Sequence, residues 1–128
     1  MSRRRSSVPT EGELEILSVL WERGPSTVRQ IHNIIQAQRH RAYSTTLTMV
    51  QVMTEKGLLL RDDSLRPQVF CPQQSREQVQ LDLVDYVIRR GFGGSAVNLV
   101  LRAVADRVDP EDLARIRQAI NKARGAKS

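Results

Sequence analysis

Leu14, Leu17, Leu20 and Trp21 fall on one stripe at three- and four-residue spacing, with Ile16 and Val19 beside it, which predicts an amphipathic first helix. Thr10 and Glu13 stand at capping-box spacing ahead of the stripe, and Gly24-Pro25 ends it. A second helix follows from Thr27, with Gln30 as its box partner and Val28, Ile31, Ile34 and Ile35 as its inner face. Arg39-His40-Arg41 is a polar break. Ser44 reads as the cap of a third helix running from Thr45 to Lys56 and stopped by Gly57. Thr46, Met49, Val50 and Met53 lie at i, i+3, i+4 and i+7 and should face inward. Ser44, Thr45, Thr48, Gln51 and Val52 are left to face out.

Past Gly57 the period shortens. Leu58–Arg61 and Gln68–Cys71 are short enough for strands, with Asp62-Asp63-Ser64 as the turn between them. Three helices followed by a hairpin is the order of a winged helix-turn-helix, in which two helices prop a third so that its outer face can enter a major groove. The rest is helical. Ser75 and Gln78 open a helix carrying Val79, Leu83, Val84, Val87 and Ile88, closed by Arg89, Arg90 and Gly91. Gly93-Gly94-Ser95 leads into a helix with Val97, Leu99, Val100, Leu101 and Val104. Asp109 and Pro110 start the last helix, striped by Leu113, Ile116 and Ile120. The fold class expected is mostly α. A polar, basic arm over 1–8 precedes a winged-helix domain over 9–74 and a helical domain over 75–128. The last segment is too short to bury a comfortable core alone, so Leu83, Val87, Leu99, Leu101, Leu113, Ile116 and Ile120 are expected to pair with a second copy. Packing on the first domain is the other way to cover them.

Composition narrows the function more than the fold. The formal charge of +6 on 128 residues points first toward a polyanion. It does not say where, since 1–74 and 75–128 each hold ten Lys+Arg and seven Asp+Glu. One cysteine, Cys71, excludes an internal disulfide and a cysteine-rich metal site. Neither His32 nor His40 has a Cys or carboxylate at ligand spacing, Asp82 and Asp85 read as a solvated helix face, and no Gly-rich phosphate loop is present. An enzyme is not expected, nor any cofactor or metal. No apolar run approaches the roughly 20 residues that span a bilayer, and no signal-peptide core follows Arg3-Arg4-Arg5, so no membrane insertion and a cytoplasmic location are expected.

The stretches Glu13–Gly24, Thr27–Ile31, Ala42–Met49 and Glu55–Leu59, in that order and register, are similar to the BlaI/MecI penicillinase-repressor family. The resemblance runs from about Pro9 to the last helix. It implies a winged helix that binds a double-stranded inverted-repeat operator, a C-terminal three-helix domain that makes a homodimer, and repression of beta-lactamase or related genes. The groove-reading helix falls on Ser44 to Lys56, with Tyr43-Ser44-Thr45 where the family often has Tyr-Thr-Thr. Ser44, Thr45 and Thr48 are the expected groove contacts, because helix-start hydroxyls suit phosphates and a threonine methyl can pack on a thymine methyl. Arg39, Arg41, Arg61 and Arg66 are the expected phosphate contacts, and Arg3-Arg4-Arg5 either reaches a minor groove or is a solvated tail. Val52 stands where members usually carry Arg, which changes the sequence read. The resemblance also implies relief by proteolysis, triggered indirectly by a membrane-bound antibiotic sensor, at a bond aligning with Arg102–Ala103. The residues there differ from the family's Asn-Phe.

Two other functions fit the same residues. One is a winged helix used for protein contact on a dimeric scaffold; the other is a DNA-coating protein indifferent to sequence. Binding that falls steeply with salt separates the first from a DNA binder, and equal binding to every duplex identifies the second.

Overall fold

The computed structural model describes residues 8–127. The basic arm Arg3-Arg4-Arg5 lies outside the described residues. Three helices, α1 (Glu11–Arg23), α2 (Val28–Gln38) and α3 (Tyr43–Glu55), precede the antiparallel strands β1 (Leu59–Asp62) and β2 (Val69–Pro72). Helices α4 (Arg76–Gly91), α5 (Ala96–Val104) and α6 (Pro110–Lys127) follow. This is a winged helix-turn-helix followed by a helical segment, as the periodicity indicates.

Both capping boxes form. The Thr10 hydroxyl accepts from the Glu13 amide at 3.2 Å, and the Glu13 carboxylate accepts from the Thr10 amide at 3.0 Å. Thr27 and Gln30 repeat the pair at 3.1 and 2.9 Å. Each cap contributes about 1 kcal/mol by satisfying amides that the helix cannot. At the far end of α3, Gly57 takes φ 86°, so the Leu58 amide reaches the Met53 carbonyl at 2.8 Å and turns the chain into β1.

Two local expectations give way. Helix α3 starts at Tyr43 with Ala42 at the N-cap and no side-chain cap, so Ser44 lies inside the first turn rather than capping it. Packing of Tyr43 on α2 outweighs the preference of Ser44 for the cap. Both strands sit one residue later than read, with Leu59 opposite Pro72 and Asp62 opposite Val69. Ser26 also bridges to Phe70 through paired backbone bonds of 2.8 and 3.1 Å, tying the α1–α2 turn to the hairpin.

Ile16, Leu17 and Leu20 of α1, Ile31 and Ile35 of α2, and Val50 and Met53 of α3 form one core, closed by Leu59 and Phe70 of the hairpin. The structure divides into two compact units between Leu83 and Val84, inside α4. The start of α4 belongs with the first unit: Val79 is buried, the Trp21 indole N–H donates to the Gln74 carbonyl at 3.2 Å, and Arg76 pairs with Glu22 at 3.2 Å. In the second unit Ser95 caps α5 through the Asn98 amide and Asp109 caps α6 through the Asp112 amide. None of its described residues is buried.

Glu13 also joins α1 to the end of α3, accepting from the Lys56 ammonium at 2.6 Å. Burial pushes its carboxyl up, but the Lys56 ammonium and the Thr10 amide together hold it below the ordinary 4.5. A lowered folded value stabilises the native state above the unfolded pKa, and the contribution is lost as pH falls through the folded one. Glu13→Gln should therefore cost about 1 kcal/mol near pH 7, Lys56 being half exposed, and flatten the loss of stability below about pH 4.5. Urea unfolding across pH checks this; an acid limb as steep as the wild type's would contradict it.

Candidate nucleic-acid interface

The outward face of α3 carries Ser44, Thr45, Thr48, Gln51 and Val52, all exposed, while Thr46, Val50 and Met53 are buried beneath it. The hydroxyls of Ser44, Thr45 and Thr48 hydrogen-bond to nothing among the described residues. Three free hydroxyls at the start of a helix, beside backbone amides without a side-chain cap, form a surface suited to phosphate oxygens or base edges. Neither α2 nor α3 has an acidic residue in its first turn, whereas α1, α4 and α6 all do. The N-terminal ends of α2 and α3 therefore keep their positive polarity.

An open groove of about 660 Å³ is lined by residues of α2, α3 and the hairpin, among them Val28, Leu47 and Phe70 with Arg29, Glu55 and Arg61. Arg29, in the first turn of α2, lies over the Tyr43 ring at 4.0 Å, while His32 meets the same ring edge-on at 5.4 Å. Sequence reasoning missed Arg29. Its signal was there: a cation in the first turn opposes the helix dipole and needs another reason to be present.

The arginines singled out from the sequence are not equally available. Arg61 pairs with Asp63 at 2.8 Å, and Arg66 donates to the carbonyls of Asp63 and Leu65. The wing is thus folded on itself, Arg61 on the Asp63 carboxylate and Arg66 on backbone carbonyls of the turn. The Ser64 hydroxyl and amide hold the exposed Asp62 carboxyl below the ordinary carboxylate range. Arg39, half exposed, reaches Glu15 at 3.5 Å. Arg41 is different. Its side chain is only 10% exposed, pairs with Glu15 at 2.9 Å, and keeps Nη1 buried without a partner. It braces the α2–α3 turn against α1 and leaves little of its side chain exposed to a phosphate.

In the second unit Val97, Val100, Leu101, Leu113 and Ile120 are exposed, with Leu99 and Ile116 half-buried. Val87 is exposed too, while Leu83 falls in the first unit. Arg102 and Ala103 lie exposed near the end of α5. Among the described residues no three His, Cys, Asp or Glu side chains cluster as metal ligands, and no helix is long and apolar enough to cross a membrane.

The profile of the penicillinase repressor family matches residues 9–122, spanning the winged helix and most of the helical segment. The chain belongs to the penicillinase repressor family. It is also similar to the "Transcriptional regulator BlaI" of two Mycobacterium tuberculosis strains, CDC 1551 / Oshkosh and ATCC 25618 / H37Rv. Each is 34% identical over 106 residues, covering 77% of this chain and 77% of the relative. Penicillinase repressors are transcriptional regulators and not enzymes.

The contrast between Arg41 and Arg39 is measurable. Arg41→Ala should cost about 1–2 kcal/mol in urea unfolding, because it opens a partly buried pair, and Arg39→Ala under about 0.5 kcal/mol. Equal, small losses would contradict the bracing role.

Proposed function

We propose that this chain is a transcriptional repressor that binds an inverted-repeat duplex as a homodimer, with α3 in the major groove of each half-site. The observation that carries this reading is the exposed, unpartnered hydroxyl face of α3 in a member of a repressor family. Ser44 and Thr45 meet phosphate oxygens or base edges, and Thr48 places its methyl against a thymine. Arg29 and Arg39 neutralise flanking phosphates. Arg61 and Arg66 join them by exchanging local partners, a change that costs at most about 1 kcal/mol for an exposed pair such as Arg61–Asp63.

The second unit supports the dimer. An apolar surface that includes Leu101, Leu113 and Ile120, left exposed in one copy, is the kind that a two-fold partner covers. Two linked half-sites bind as one event, so a released monomer loses the effective concentration that makes the operator tight. Relief of repression then needs only a weaker dimer. A cut at the exposed Arg102–Ala103 bond, set off indirectly by a membrane-bound sensor, would separate the α6 stripe from the rest of the unit. Beta-lactamase-type resistance genes are the targets that the family points to.

Selection from random duplexes at about 0.15 M salt should enrich an inverted repeat with half-sites about one helical turn, or a multiple, apart. Thr48→Ala should change the preference at one position per half-site; a pool that stays random, or a variant with an unchanged preference, would contradict the assignment. Leu113→Asp should convert the dimer to monomer in sedimentation and lower operator affinity by about 100-fold or more at fixed concentration. A dimer that persists would place the interface elsewhere.

A further inference from the structure

Helix α3 differs from the other five described helices in how its first turn is held. Thr10, Thr27, Ser75, Ser95 and Asp109 each lend a side chain to the first-turn amides of α1, α2, α4, α5 and α6, whereas Ala42 has none to offer α3. What anchors that turn instead comes from α2. His32 is 3% exposed, and its Nδ1 is hydrogen-bonded at 3.0 Å to the Oγ1 of Thr46, which is fully buried. The same imidazole meets the Tyr43 ring edge-on at 5.4 Å and 86°, and Arg29 covers that ring at 4.0 Å. One buried side chain on α2 thus touches the first and fourth residues of α3. Ser44 and Thr45, the hydroxyls proposed to meet DNA, lie between those two points, and Thr48 lies two residues beyond the second.

We infer that His32 is a positioning residue for sequence recognition: through Thr46 and Tyr43 it sets the rotation of α3 about its own axis, and so which edges Ser44, Thr45 and Thr48 present. The physical reason is the difference between apolar and polar contacts. Val50 and Met53 bury α3 firmly, but apolar burial is non-directional and tolerates a small roll of the helix. A buried hydrogen bond tolerates less, because it weakens steeply as its angle and distance degrade and leaves a donor or acceptor unpaired away from water. A helix turns 100° per residue, so even a modest roll moves a hydroxyl across a base edge. Phosphate contacts by flexible arginines would survive such a roll. The bond therefore governs discrimination more than adhesion.

This inference rests on the DNA-binding reading, and its test keeps the two apart. Thr46→Val keeps the side chain's volume and removes the hydroxyl; Thr46→Ser keeps the hydroxyl. Both proteins are purified as full chains, confirmed folded by circular dichroism, and titrated against the selected inverted repeat and a scrambled duplex of equal length. Thr46→Val should lower the ratio of the two affinities by about tenfold, the discrimination carried by roughly one base contact, with scrambled-duplex binding unchanged within about twofold. Thr46→Ser should restore the ratio. His32→Asn, which keeps a hydrogen-bonding atom near the Nδ1 position, should retain more of it than His32→Leu. A Thr46→Val ratio equal to the wild type's, or affinities that fall alike for both duplexes, would overturn the positioning role while leaving DNA binding intact. A wild-type chain that shows no preference between the duplexes overturns both.

Discussion

The first unit is organised around a demand placed on α3: bury one face completely and leave the opposite one bare. Thr46, Val50 and Met53 meet the first half of that demand, sinking into a core supplied by Ile16, Leu17 and Leu20 of α1 and Ile31 and Ile35 of α2. The hairpin adds Leu59 and Phe70 from the far side, and Ser26 fastens it to the α1–α2 turn. Among the described residues nothing covers Ser44, Thr45 and Thr48 as a consequence. The free hydroxyl face is the surface this packing leaves over, and the flanking features act on its orientation. Lys56 and Glu13 hold the end of α3 to α1, Arg41 and Glu15 hold the turn before it, and His32 holds its first turn.

Charge is distributed in a way that total charge conceals. Several cations of the first unit are committed: Arg41 to Glu15, Lys56 to Glu13, Arg76 to Glu22, and the wing arginines to their own turn. What gives the α3 face its positive polarity is subtler. The N-terminal ends of α2 and α3 carry no acidic residues, and Arg29 stands beside them on an aromatic ring. Exposed pairs such as Arg61–Asp63 are weak and interchangeable, so the wing can be neutral alone and still yield a cation to a phosphate. The Arg41–Glu15 pair, with Arg41 only 10% exposed, is held more firmly. Two arginines two residues apart in the same turn, both within reach of Glu15, thus differ in exposure, one tucked inward and one half exposed.

Features written in nearest-neighbour chemistry were legible in the sequence. The Thr10–Glu13 and Thr27–Gln30 boxes, the Gly57 stop and the inward set Thr46, Met49, Val50 and Met53 all depend on spacing within a turn or two, and all form, Met49 being only partly buried. The outward face of α3 followed from the same periodicity. Features that depend on distant partners were not legible. Ala42 rather than Ser44 caps α3 because Tyr43 packs on α2, and Arg41 turns inward because Glu15, far back in the chain, lies within reach. Arg29 was passed over because its partner Tyr43 lies a helix away. In the second unit the stripes were visible, but an intramolecular cover for them was an open choice; none of its described residues is buried.

The most direct test of the central claim, that α3 as braced by α1 and α2 is the reading surface, is an NMR titration of the isotope-labelled chain with a duplex carrying its selected repeat. The largest shift changes are expected at Ser44, Thr45 and Thr48 and at Arg29, with the amides of Glu15 and Arg41 little moved. Changes confined to the second unit, or spread evenly over the surface, would contradict it.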